Sequence, residues 1–314
     1  MRFILKNRWM LFLLWVVLSV SQEARSEAAI RLVVSIKPLH SLASAVMRGV
    51  AEPQLLIKGR VSPHHFSLKP SHIRMLQQAD ILLWLGATVE SSLAKVVGQL
   101  PVSVQSLSLL QEPSLLRLPL RNGGVWHHDH NHGGVAELLD EGVKIDSHLW
   151  LDPFNAKRIV QRLAVLLSQR DPRNQERYKA NAERVLKQLQ ALHLEIKLRL
   201  APIQNRPYLV YHDAYQYFER RYALAATGAL VLDLSQRAGA KRLRLLRKKI
   251  QSDAIRCAFF EPQYDARLLN SVVANLPIKV DVLDPLGADL PAGEALYFDL
   301  MRRLTAQLVS CLSD

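Results

Sequence analysis

The chain has 314 residues, of which 49% are hydrophobic and 22% charged. These are ordinary proportions for a folded protein, and they exclude collagen-like, low-complexity and wholly disordered classes. With 41 Lys and Arg against 28 Asp and Glu the formal charge is +13, a balance that favours anionic partners such as nucleic acid or a membrane surface.

Arg2, Lys6 and Arg8 make a positive start, and the run from Trp9 to Val20 is almost wholly apolar. That run is shorter than the roughly 20 residues a membrane span needs. Ser26-Glu27-Ala28 supplies small residues at the spacing a signal peptidase reads. Residues 1–28 therefore read as a secretory signal peptide cut after Ala28, with an uncleaved anchor as the alternative. Its removal takes away a net +2 and leaves +11. Export argues against nucleic acid as a partner. No later segment is long and apolar enough to span a bilayer, so the exported chain is expected to be free of stable membrane insertion.

Leu32 to Ser35 reads as a strand, and a helix follows from about Pro38. Gln54 to Ile57 is a second apolar run, Ser71 to Gln78 a helix behind Pro70, and Ile81 to Leu85 a buried strand ending at Gly86. A further helix runs from about Val89 to Leu100. Alternation of this kind implies a parallel sheet with helices on its faces. Gly123 to Gly134 is a histidine-rich loop, and Lys144 to Leu151 brings the chain back toward the sheet. Asn155 can cap a helix whose apolar positions Ile159, Val160, Leu163, Leu166 and Leu167 keep helical spacing. Asp171-Pro172 reads as a new helix start, and from there to Leu200 no Gly or further Pro interrupts. Val185, Leu189, Leu192 and Ile196 form one apolar stripe along it.

Past Pro202 the alternation resumes, with strands at Tyr208–Tyr211, Val231–Leu234, Ala258–Phe260 and Val280–Leu283. Helices are expected from about Ala214, at Lys241–Ile250 and at Leu296–Leu312. The fold class is α/β: two lobes, each a mostly parallel sheet flanked by helices, joined by a long rigid helix. The boundaries read as 29–170 for the first lobe, 171–200 for the connector and 201–314 for the second lobe. The basic helix Lys241, Arg242, Arg244, Arg247, Lys248, Lys249 is either a docking face or a solvated helix surface. Cys257 and Cys311 are the only cysteines. In an exported chain an even number suggests a disulfide, with two buried thiols as the alternative.

Three histidines mark three distant segments: His64 in Ser62-Pro63-His64-His65, His148 in Asp146-Ser147-His148-Leu149, and His212 in Tyr211-His212-Asp213. Neutral imidazole is the commonest protein ligand for transition metals. Each of the three is expected where a strand gives way to a loop, and Asp284 directly follows the Val280–Leu283 strand. Ligands in open α/β sheets bind beyond the carboxyl ends of strands. If the lobes face each other, these four groups meet in the cleft between them. Three imidazoles and one oxygen suit tetrahedral Zn²⁺, whereas manganese prefers more carboxylates and copper(I) prefers Met or Cys. Asp213 is a weak candidate for supporting His212. His40 and His65 are left as supporting or exposed groups. His127, His128, His130 and His132 crowd one short stretch of the glycine-bounded loop, either as a second metal-holding segment or as a solvated loop with incidental affinity.

The runs Val34-Ser35-Ile36-Lys37-Pro38-Leu39, His64-His65-Phe66-Ser67-Leu68-Lys69-Pro70-Ser71, His148-Leu149-Trp150-Leu151-Asp152-Pro153, His212-Asp213-Ala214-Tyr215, Glu261-Pro262-Gln263 and Leu283-Asp284-Pro285-Leu286-Gly287 occur in this order along the chain. Together they resemble the periplasmic zinc-binding proteins, ZnuA type, of ABC importers. The resemblance implies zinc held between two lobes and delivered to a permease in the inner membrane that a cytoplasmic ATPase drives. It implies a periplasmic, non-enzymatic, monomeric carrier, with His64, His148 and His212 as ligands. It also implies a disulfide between Cys257 and Cys311. Some zinc members carry a glutamate immediately before the first histidine as a fourth ligand; here that position is Pro63. The fourth site then falls to Asp284 or to a water. A secreted zinc hydrolase with Glu261 as general base, or a metal-binding surface adhesin, are the competing readings. No HExxH or similar motif supports the hydrolase.

Overall fold

Strand β1 (Leu32–Val34) is buried at every residue, as is β3 (Ile81–Trp84). Continuous apolar runs of this kind suit strands covered on both faces of a parallel sheet. The computed structural model describes residues 29–121, 126, 143–232 and 239–313. The signal segment 1–28, and with it the cleavage reading, lies outside those residues. So does the glycine-bounded loop except for Trp126. With β2 (Gln54–Leu55) and β4 (Gln105–Ser108) the first sheet takes the order β2-β1-β3-β4, all parallel. Between the strands run α1 (Lys37–Met47), α2 (Pro70–Gln77) and α3 (Ser91–Val97).

A linking stretch leads to α4 (Pro153–Arg170) and α5 (Gln175–Leu200), which are separated by a 3₁₀ turn at Pro172–Asn174. The second sheet follows. It is built from β5 (Pro207–His212), β6 (Ala225–Val231), β7 (Cys257–Phe260) and β8 (Lys279–Val282), in the order β6-β5-β7-β8 and again all parallel. Its helices are α6 (Gln216–Tyr222), α7 (Ala240–Ser252) and α8 (Arg267–Val273), and α9 (Leu296–Leu312) ends the chain. The expected architecture of two helix-flanked parallel sheets with a long helix is what the chain adopts.

Both sheets share one strand order. In each, the chain steps outward from its first strand, then returns across it. The order therefore reverses between β1 and β3, and again between β5 and β7. The carboxyl ends beside such a reversal are where open α/β sheets leave a crevice.

The 26 residues of α5 span about 39 Å. Tyr178, Ala182, Val185, Leu189, Leu192, Ile196 and Leu200 recur every three or four positions and are buried, so one stripe meets α4, α1 and α9. Helix α9 follows the second sheet, yet packs on α1 and α5. The Cys257–Cys311 disulfide ties it to β7. One hydrophobic core thus runs from β1 and β3 through these helices to Tyr208, Val210 and Phe259 of the second sheet.

Several local expectations need correction. Lys144 to Leu151 forms no strand. It makes one isolated antiparallel bridge, Ile145 to Pro119, and Pro119 has no N–H with which to extend a ladder. His148 instead precedes a 3₁₀ turn at Leu149–Leu151. Asp152, not Asn155, caps α4, accepting from the Phe154 N–H at 2.9 Å. Buried Asn155 braces the neighbouring chain: its amide accepts from Leu116 N at 2.8 Å and donates to Leu116 O at 3.0 Å. The strand expected at Val231–Leu234 lies earlier, at Ala225–Val231; Asp233 and Leu234 are outside the described residues. Strand β4 and helix α8 are additions to the sequence reading. Among the described residues no helix is long and apolar enough to cross a membrane.

Candidate metal centre

The second sheet delivers His212 as the last residue of β5, at the reversal point. Glu261 follows β7, the adjacent strand, on the same edge. His64 comes from the first half of the chain, in the 3₁₀ turn Pro63–His65 beyond β2. Pro63 opens that turn, and the Ser62 hydroxyl accepts from the His64 N–H at 3.3 Å. Tyr264, beyond β7, donates its hydroxyl to the same Ser62 oxygen at 3.0 Å, tying the turn to the second sheet. His148 stands at the start of its 3₁₀ turn with Asp146 beneath it. One Asp146 oxygen accepts both the His148 N–H, at 3.0 Å, and ring Nδ1, at 2.7 Å. Tyr217 of α6 donates to the Asp146 carbonyl at 2.8 Å, so the second half of the chain also fixes this segment.

The three rings converge. Each offers a nitrogen within 4.8 Å of those of the other two. Ring centroids are 5.6 Å apart for His64 and His148, 5.6 Å for His64 and His212, and 4.8 Å for His148 and His212. A tetrahedral ion at about 2.0–2.1 Å from each nitrogen needs those nitrogens roughly 3.3 Å apart, so small ring shifts suffice to close on it. His148 and His212 are each 4% exposed, while His64 is partly open.

Carboxylates set which nitrogen faces inward. His212 Nδ1 lies 3.2 and 3.3 Å from the two Glu261 oxygens. With Nδ1 engaged on both His148 and His212, Nε2 is left as the donor atom toward the centre. A carboxylate behind a ligating imidazole fixes its tautomer and raises its basicity. Burial pushes the His148 proton affinity well below the ordinary imidazole value, and the neighbouring His212 charge adds to this. Burial works on His212 in the same direction, but the Glu261 charge and hydrogen bond outweigh it and hold the group above its ordinary value. Glu261 is itself raised by burial, with His212 opposing. Burial lifts Asp146 to about 7 in spite of its hydrogen bond from His148 N.

Asp284 is not one of the three groups brought within that 4.8 Å set. One of its oxygens accepts from Gln263 at 2.7 Å and Leu286 N at 2.9 Å, the other from Ala288 N at 2.5 Å. Its carboxylate shapes the loop after β8. Asp213, adjacent to His212, points elsewhere: it pairs with Arg121, which also reaches Glu219 at 2.7 Å and lies over the Trp126 ring at 3.7 Å. His40 hydrogen-bonds the Pro53 carbonyl at 2.9 Å within the first sheet's surroundings. His127, His128, His130 and His132 lie outside the described residues. In the sequence Asp146 carries no assigned role, and Glu261 stands only as a possible base and as the head of the Glu261-Pro262-Gln263 run. The Asp-Ser-His spacing was the available signal for the first. Nothing local pairs Glu261 with His212, because 49 positions separate them.

The chain can be set beside known proteins. Over 304 residues it is 37% identical to the high-affinity zinc uptake system protein ZnuA of Brucella suis, covering 90% of this chain and 91% of that one. It is 29% identical over 316 residues to the protein of the same name from Yersinia pestis, covering 98% and 99%. A crystal structure of a zinc-bound ZnuA deletion mutant superposes with a TM-score of 0.75 at 23% identity, over 91% of this chain and 99% of that one; this likeness is one of fold. Residues 32–311 match the family described as ZnuA, the periplasmic component A of the zinc-uptake complex, and the chain belongs to that family.

Proposed function

We propose that the protein is a solute-binding carrier that captures Zn²⁺ in the periplasm and hands it to an ABC permease in the inner membrane, powered by a cytoplasmic ATPase. His64, His148 and His212 bind the ion through Nε2, and a water takes the fourth position because Asp284 is committed to its own loop. The observation that carries this reading is the convergence of three imidazoles from three distant segments, two of them buried and backed by carboxylates. Three neutral nitrogen donors suit zinc better than manganese. The carrier works as a monomer, with 29–170 and 201–314 as its two lobes and 171–200 between them. Residues 1–28 direct export, and the four clustered loop histidines form a secondary zinc-holding segment.

The arrangement supports carriage over catalysis. A zinc hydrolase needs a general base beside the metal-bound water. Glu261 sits behind His212 on Nδ1, the far side of the ring from the ion. Calorimetry on metal-stripped protein tests the assignment. His64→Ala, His148→Ala and His212→Ala are each expected to abolish tight zinc binding, and unchanged affinity in any of them overturns that residue's role.

A further inference from the structure

Helix α7 buries Leu246 and Ile250 and turns the opposite face to solvent. On that outer face Lys241, Arg244 and Lys248 are exposed at intervals of three and four residues, one cation per turn. Leu245 stands beside the row, 50% exposed. Among the described residues none of the three cations pairs with a carboxylate. The two neighbours that do have partners face inward or along the helix. Arg247 donates to the Val272 and Ala274 carbonyls at 2.9 and 2.8 Å, closing the end of α8, and Lys249 pairs with Asp253.

The row is placed with respect to the metal centre. Helix α7 connects β6 to β7, which are parallel. It must therefore start at the carboxyl edge of the second sheet, the edge that carries His212 and Glu261, and run back to the amino edge. Lys241 stands at the mouth side and Lys248 farther down the flank.

The geometry points to a membrane-facing surface: the α7 row binds the anionic phospholipid headgroups of a bilayer and lays that flank of the second sheet along it. The composition of the face favours a lipid surface over a protein one. Protein-docking faces are enriched in Tyr, Trp, Phe, Met and Arg and depleted in Lys, whereas this face offers two lysines and one arginine around one exposed aliphatic side chain and no aromatic residue, as basic segments that sit on anionic headgroups do. The net +11 carried from residue 29 onward supplies long-range attraction of the same sign. The inference does not depend on the zinc assignment.

Co-sedimentation with vesicles tests it, comparing mixed phosphatidylglycerol and phosphatidylcholine with phosphatidylcholine alone. The chain from residue 29 is expected to bind only the anionic vesicles and to be released as salt rises. Each cation at an anionic surface contributes about five-fold, so K241Q/R244Q/K248Q is expected to lose roughly a hundred-fold in partitioning. The variant K95Q/K187Q/R303Q removes equal charge from other exposed positions and is expected to lose far less. Calorimetry on both variants should return the parent zinc affinity. Absence of binding to anionic vesicles overturns the inference and leaves an acidic protein surface as the partner of the row. Equal loss in both variants also overturns it, because net charge alone would then explain the attraction.

Discussion

His148 and His212 are equally buried, and a carboxylate stands behind each, yet their protons are held differently. Burial keeps His148 neutral, so it is ready to bind an ion throughout the neutral range. His212 retains its proton above the ordinary value of 6.5, because Glu261 overcomes the effect of burial. A metal must displace that proton. Zinc affinity is therefore expected to be full at alkaline pH and to begin falling while the pH is still above 6.5, the reference value for the group. A titration of affinity against pH checks this, and a flat profile down to that value contradicts it. Glu261→Gln removes the charge that holds the proton. It should move the onset of the fall to lower pH while weakening binding about 10–100-fold, as should Asp146→Asn in affinity alone. Competition with a chromophoric chelator measures both. At this scale the three histidines are legible in the sequence and their supports are not. Asp213 lies one residue past the end of β5 and turns to Arg121 instead. The group that does reach His212 arrives from the neighbouring strand.

At the scale of elements, legibility follows burial. Strands β1, β3 and β5 are apolar runs and read directly as strands. Strand β4, Gln105–Ser108, carries polar residues at three of its four positions and gives no such signal. The misreading around His148 has the same origin in reverse: Ile145 to Leu151 contains enough apolar residues to suggest a strand, but those at Leu149–Leu151 are buried in a 3₁₀ turn against α4. The last helix depends on tertiary contacts that the sequence does not display, since α9 crosses back to α1 and α5 while Cys311 holds it to β7. Closing a loop with a sequence separation of 54 contributes about 4 kcal/mol in the chain-entropy account. Cys311→Ser is expected to lower unfolding free energy in urea by that order. A loss no larger than that of an ordinary exposed serine substitution would show that packing alone holds α9.

On the scale of the whole molecule, the two sheets repeat one strand order, β2-β1-β3-β4 and β6-β5-β7-β8. What is duplicated is the path of the chain, and the side chains that fill it differ. The reversal point of the second sheet supplies His212 and its partner Glu261. The first half of the chain answers with His64 on a turn and with His148 on the stretch that leads to α4. Contacts between the halves keep these groups in register. Lys37 Nζ donates to the Gly287, Ala288 and Leu290 carbonyls at 3.1, 2.7 and 2.8 Å. Trp150 Nε1 donates to the Pro285 carbonyl at 2.9 Å, and Arg60 pairs with Asp289 at 2.9 Å. A carrier's site has to be assembled from both halves if opening them is to release the ion, and here no single half holds all three imidazoles.

Zinc-edge X-ray absorption on protein loaded with one equivalent of zinc tests that assembly most directly. The account predicts a four-coordinate ion with three imidazole nitrogens at about 2.0–2.1 Å and one light-atom ligand, with one imidazole lost in His64→Ala. A spectrum dominated by oxygen ligands, or an imidazole count that His64→Ala leaves unchanged, would contradict it.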